Sequence, residues 1–222
     1  MDRLSRADRH RLIDACEVVP LPLNEVLGEP GELQRHVYFP SSGFMSMVAL
    51  IPDHSGVEVG MVGREGLVGG QALLGVARWP WRVLVQGAGE AWRLNVAAFL
   101  KEITRSKGLR RLVQRHLYVL LAQQATTSAC TRFHQIGPRL ARWLLMSQNR
   151  AQSNSFHITH EFLSYMLGVR RVGITAAAGA LQRQGLIQYH RGEIKVLDRV
   201  GLEAAACSCY ASDNVLYETW MA

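Results

Sequence analysis

Two adjacent arginines, Arg170-Arg171, with Thr175 one helical turn further on, carry the most specific chemistry in this 222-residue chain. A guanidinium is a planar fork of donors that can bond bidentately to guanine O6 and N7 in the major groove of DNA. A second pair of cations, Arg191 and Lys195, brackets the turn His190-Arg191-Gly192. Cations on such a turn suit phosphates, which supply affinity and register rather than sequence choice.

The elements that must position these groups can be read around them. Thr159 is a good N-cap for a short helix to about Met166. Leu167-Gly168-Val169 then makes a turn, and Gly168 permits a positive φ. A second helix is predicted from about Arg170 to Gln184, with Ile174, Ala177, Ala178 and Leu181 on its buried stripe and Gly185 at its C′ position. Ala176, Ala177, Ala178, Gly179 and Ala180 suit close packing against the first helix. Leu186–Tyr189 and Glu193–Leu197 read as two strands around the basic turn. Residues 159–194 therefore predict a helix-turn-helix followed by a wing, with the second helix entering a major groove.

The charge distribution agrees with this reading. The formal net charge is +7, and residues 134–199 hold nine Lys or Arg against three Asp or Glu. A basic excess points to a polyanionic partner and says nothing of the fold. The four cysteines (Cys16, Cys130, Cys207 and Cys209) do not make a disulfide scaffold in a chain of this length. The opening residues lack the apolar core of a signal peptide, and no run reaches the ~18 apolar residues of a membrane span. A cytoplasmic protein without membrane association is expected.

Earlier in the chain, residues 3–16 read as a short amphipathic helix. From Pro20 to about Leu94, turn signals recur between short apolar runs such as His36–Phe39, Phe44–Ile51, Val57–Val62 and Arg82–Val85, the pattern of an antiparallel roll. Helical spacing returns near Val96. Leu109, Leu112, Val113, Leu117, Leu120 and Leu121 mark a stripe on a helix that runs uninterrupted to Phe133. At ~25 residues it spans roughly 37 Å. Periodicity alone leaves open whether the helix crosses the roll or pairs with a second copy. Ile136-Gly137-Pro138 is the clearest boundary. Pro138 to about Gln148 is predicted helical, and Asn149–Ser155 a polar loop.

In this order the pieces resemble the Crp/Fnr family of bacterial transcription regulators. The resemblance rests on HVYFPSSG at 36–43, VEVGMVGREG at 57–66, PRLARWLL at 138–145 and the wing. It implies an α+β chain: a jelly-roll-like antiparallel β-roll sensor domain over 1–108, a dimerisation helix over 109–136, and a winged helix-turn-helix domain over 137–222. It further implies a homodimer on promoter or operator DNA, with RNA polymerase a further partner and no catalytic residues. Arg171 matches the family's main base-reading arginine. Val172 and Ala176 replace a glutamate and an arginine at two other reading positions. Thr159 and His160 fall where members touch phosphates.

The sensor departs further. The cyclic-nucleotide ligands of the family match Gly70, Trp79 and Pro80, and its adenine-receiving helix positions match Gln124 and Ala125. A buried phosphate needs a cation and donors, which Trp79 and Pro80 cannot supply. The effector pocket is expected around Gly69, Gly70, Trp79, Arg82 and Gln124, for a small molecule other than cyclic AMP. No cofactor and no metal are expected. An iron–sulfur centre needs about four clustered cysteines, and Cys16, Cys130 and Cys207-Ser208-Cys209 are scattered in sequence. Cys207-Ser208-Cys209 could be a redox or metal pair, but two cysteines do not complete a zinc site. His36, His54, His116 and His134 could in principle ligate a haem and are expected to be core or surface histidines. A cupin-like metal enzyme is the competing class, resting on His54 and Glu58. It lacks the further ligands such a site requires.

Overall fold

The structure, a computed structural model, describes residues 3–52 and 56–221. Its elements run α1 (Arg6–Asp14), β1 (Glu17–Leu21), β2 (Val26–Gly28), β3 (His36–Pro40), β4 (Phe44–Ala49), β5 (Val57–Val62), β6 (Arg82–Gly87), β7 (Gly89–Asn95), α2 (Val96–Arg105) and α3 (Lys107–Phe133). They continue with α4 (Ile136–Ala151), β8 (Ser155–His157), α5 (His160–Leu167), α6 (Arg171–Arg183), β9 (Ile187–His190), β10 (Glu193–Val196), α7 (Arg199–Ala205) and α8 (Cys209–Met221). The fold is α+β and divides into two compact units. One comprises Met1–Met47, Met61–Leu121 and Tyr217–Ala222; the other comprises Val48–Gly60 and Ala122–Leu216.

The first unit is built on antiparallel strands, as the spacing of turn signals predicts. Within it one sheet has the order β1-β7-β3, and β2 pairs antiparallel with β6. In the first sheet Val37 lies opposite Leu94, and both are buried. Phe99 on α2 packs on Phe39 at 6.4 Å between ring centroids, with Ile103, Leu109 and Val113 completing the core. Each fully buried side chain of this size stabilises by about 1.5–3 kcal/mol. His116 is a core histidine: its Nε2 sits 3.0 Å from the Leu67 carbonyl oxygen, and its ring lies against Gly66. The amino-terminal helix is shorter than residues 3–16, because the Ser5 hydroxyl accepts the Asp8 N–H and starts it there.

In the second unit α4 lies against α6 and α7, and α5 against α6. Leu140, Leu144, Leu145, Leu163, Ile174 and Leu202 form its buried centre. Three features differ from the sequence reading. Helix α4 starts at Ile136 rather than Pro138, since a proline fits the first turn, where no N–H is needed. It also continues to Ala151, where Gln152 turns left-handed, so the polar loop is shorter than 149–155. The strand β8 that follows and the helices α7 and α8 have no counterpart in the sequence reading. Finally, Cys130, Cys207 and Cys209, scattered in sequence, form one buried cluster.

Candidate nucleic-acid interface

The helix-turn-helix begins at Thr159, whose hydroxyl accepts the Phe162 N–H at 3.1 Å and caps α5. Gly168 ends that helix at φ +62. The Val169 N–H returns to the Ser164 carbonyl and the Gly168 N–H to the Tyr165 carbonyl, a Schellman ending that reverses the chain within a few residues. A left-handed residue is required there, and glycine adopts that conformation without the Cβ penalty. The Arg139 guanidinium donates to the Leu167 carbonyl at 2.6 Å, pairing an acceptor that α5 cannot satisfy itself. Burial depresses the pKa of Arg139 from its ordinary value, as is usual for a desolvated cation.

Helix α6, like α4 with Gln135 at its start, opens without a side-chain cap. Ser5, Asn95, Thr159 and Asp198 cap α1, α2, α5 and α7 through side-chain oxygens. Position 170 at the start of α6 is an arginine with no capping bond, and the first turn holds no acid. Arg170, Arg171, Val172 and Thr175 are all exposed. An uncapped helix start leaves N–H donors and the positive end of the helix dipole open to an anion. Two guanidiniums at that end cost some helix stability.

The wing follows as predicted. Glu193 pairs with His190 across a two-residue turn, with Arg191 at φ +48 and Gly192 at φ +85. Positive φ at both residues is the type I′ turn that matches strand twist. Along β10, Ile194 and Val196 are buried while Glu193 and Lys195 face outward. On the other edge of β10, β8 brings His157 Nδ1 to 2.9 Å from a Glu193 carboxylate oxygen.

Thr159, His160, Arg171 and Thr175 come together in space. The Thr175 hydroxyl donates to the Arg171 carbonyl at 3.1 Å and lies 3.0 Å from His160 Nδ1. With its one proton engaged, the hydroxyl accepts from His160 Nδ1–H. The His160 ring stacks on Tyr189 at 4.3 Å, and its buried Nε2 has no partner among the described residues. Burial, and then the Arg171 charge, push the His160 pKa below its ordinary value, so the ring is neutral near pH 7. The sequence places His160 at a phosphate-contact position, and in the structure its ring nitrogens face Thr175 and the protein interior. Nδ1 is committed to Thr175 and Nε2 is inaccessible, so the imidazole ties the starts of α5 and α6 to the wing. Charge counting also overstated the DNA face: Arg139 and Arg142 are buried, and Arg142 is paired with Asp213 at 2.6 Å.

The residues expected at the effector pocket are arranged as follows. In the first unit Gly69 is left-handed at φ +96, and its carbonyl accepts from Gln34 Nε2 at 2.7 Å. Gly70 is buried at the start of a short 3-10 turn. The Trp79 ring is buried against Gly28 and Gly69 and fills that space. Arg82 is held by Glu29 at 2.8 Å, so its charge is already neutralised. Gln124 belongs to the second unit. A cleft of about 380 Å³ in the first unit is bordered by Glu32, Arg35, His36, Tyr38 and Trp79.

With this geometry in view, a cyclic nucleotide-binding domain family matches residues 18–106, and a Crp-like helix-turn-helix domain family matches residues 138–205. The chain belongs to the Crp/Fnr family. Its fold is shared with solved family structures at low identity. A CRP-family transcriptional regulator from Thermus thermophilus is 20% identical, with coverage of 85% of this chain and 96% of that one and a TM-score of 0.70. FixK2 from Bradyrhizobium japonicum is 14% identical, with coverage of 86% and 98% and a TM-score of 0.72. A second regulator from Thermus thermophilus, of the CRP/FNR family, is 23% identical, with coverage of 86% and 98% and a TM-score of 0.66. No curated protein sequence matches the chain. As a Crp/Fnr-type transcription regulator the chain carries its DNA-reading elements inside the second match. Residues 107–137 and 206–222 lie outside both matches. No helix among the described residues is long and apolar enough to cross a membrane.

Proposed function

We propose that this Crp/Fnr regulator reads a near-palindromic operator as a homodimer, with α6 of each subunit in successive major grooves about one helical turn apart. The observation that carries this reading is the uncapped, doubly basic start of α6, followed in the same unit by a wing with exposed cations. Arg171 contacts a base edge, and a guanine is the natural partner. Val172, 72% exposed on the same turn, offers an apolar contact for a thymine methyl in place of the family's acidic group. Arg170, Thr159, Arg191 and Lys195 meet phosphates. Thr175 and His160 hold the reading helix in place.

Pairing is supported by α3. Tyr118, Leu121, Ala125, Ser128 and Arg132 follow a three-and-four spacing and are all exposed. Leu121 is 66% exposed and Phe133 78%. An exposed face at this spacing that carries Tyr118, Leu121 and Ala125 suits a second copy of the same helix. The break between α3 and α4 at residues 134–135 is where a change in the sensor would be passed on. In this reading the protein catalyses nothing, works in the cytoplasm, recruits or blocks RNA polymerase, and responds to a small molecule other than cyclic AMP. The cupin-like alternative has little support. His54 lies outside the described residues, and among those described no set of three His, Cys, Asp or Glu gathers around Glu58.

Fluorescence anisotropy with promoter DNA tests the reading. Affinity should fall steeply with salt, and Arg171→Ala should cut discrimination at one base pair by about 1–3 kcal/mol. Lys195→Ala should weaken target and random DNA alike. An Arg171→Ala protein with an unchanged target-to-random ratio would refute the assignment.

A further inference from the structure

Three buried cysteines meet one histidine in the second unit, in a place the DNA-reading function does not use. Cys130 and His134 lie one turn apart at the end of α3, and Cys207 and Cys209 flank the start of α8. Cys130 Sγ is 3.5 Å from Cys207 Sγ, and Cys209 Sγ is 3.5 Å from His134 Nδ1. All four ligand atoms lie within 4.8 Å of one another. Buried cysteines usually serve as small hydrophobes. Here Cys130, Cys207 and Cys209 form a buried cluster among the described residues. The three sulfurs converge on an imidazole nitrogen, which apolar packing does not require.

The spacing has a direct chemical reading. Zinc–sulfur bonds of about 2.3 Å and zinc–nitrogen bonds of about 2.0–2.1 Å in a tetrahedron place ligand atoms roughly 3.5–3.8 Å apart. The closest pairs already stand at that separation, and the widest exceed it by about 1 Å, within side-chain adjustment. A cluster of several irons would hold its ligand sulfurs farther apart. The cysteines are free thiols, so no disulfide competes for these sulfurs. None of the four residues falls inside either family match.

We propose that Cys130, His134, Cys207 and Cys209 form a closed Cys3His site for one zinc-class divalent cation. Four protein ligands leave no open position, so the site is structural or regulatory. Binding replaces the thiol protons with the metal and releases them to solvent. The Cys207 N–H donates to the Pro138 carbonyl at 3.3 Å. A bound cation would therefore fasten the end of α3 to the α7–α8 junction and brace the break before α4. Any effect on operator affinity rests on the DNA-binding reading; the site itself does not.

The test is a Co2+ titration of the reduced, metal-stripped full chain, followed by Zn2+. The expected result is one Co2+ per chain, with thiolate-to-cobalt charge transfer, intense visible bands of tetrahedral cobalt, and displacement by Zn2+. Cys130→Ser and Cys209→Ser should lose the charge-transfer band, while Cys16→Ser should keep it. The unaltered protein alone decides the matter if the variants fail to fold. Absence of thiolate–cobalt absorption in it would overturn the proposal. So would a Cys130–Cys207 disulfide in the aerobic protein whose reduced form takes up no Co2+.

Discussion

Replacing Arg170 with serine separates the stability of the reading helix from its function. Arg170 has φ −69 and ψ 143, the extended geometry of a capping residue, yet it makes no side-chain cap bond. A serine there has its oxygen in reach of the open Val172 N–H. A capping side chain stabilises by about 0.5–2 kcal/mol. Removing a cation from the positive end of the helix adds about 0.3–1 kcal/mol. Taking ~1.5 kcal/mol in total, a chain of this size should melt roughly 3–6 °C higher. The same variant should bind DNA more weakly, and the slope of log affinity against log salt should shrink by about 0.9 per subunit, the signature of one lost phosphate contact. Differential scanning calorimetry and anisotropy on one preparation read both effects. A protein no more stable than the parent, with unchanged DNA affinity, would refute the view that this helix start is kept uncapped for DNA.

Three further outcomes follow from particular contacts. Asp213→Ala leaves the buried Arg142 guanidinium uncompensated and should cost about 3–5 kcal/mol in urea unfolding, whereas an apolar replacement of both partners should cost much less. The folded-state pKa of His160 is depressed, so below its ordinary value near 6.5 the unfolded chain takes up a proton that the folded chain refuses. Stability should therefore fall as pH drops through that value toward the lower folded pKa, and His160→Gln should flatten the dependence measured by thermal melts from about pH 7.5 to 5.5. Calorimetry with cyclic AMP should show no micromolar binding, because Trp79 fills the space beside Gly69 and Glu29 holds Arg82; a micromolar isotherm would show that both can move aside.

Local signals were legible wherever one residue type has few alternatives. Thr159 as a cap, Gly168 as a left-handed helix end and Gly192 in the wing turn each announce their backbone conformation, and the structure places them accordingly. The roll was readable from its turn spacing. What stayed hidden depends on residues far apart in sequence. Arg139 and Arg142 count as surface charge until Leu167 and Asp213 are seen against them. The imidazole of His160 looks available for a phosphate until Thr175 and Tyr189 are found on it. Cys130 and Cys207 are 77 positions apart, and only the packing of the second unit brings their sulfurs together. The short strand β8 at Ser155–His157 is too brief for alternation to reveal, and its pairing with β10 defines it.

The most direct test of the central claim is selection of bound sequences from a random DNA pool by the purified full chain. The expected result is an enriched two-fold symmetric motif whose half-sites are centred about 10–10.5 base pairs apart. Arg171→Ala should lose preference at one position in each half-site and keep the spacing. Recovery of no motif, or of a motif without symmetry that Arg171→Ala leaves intact, would contradict it.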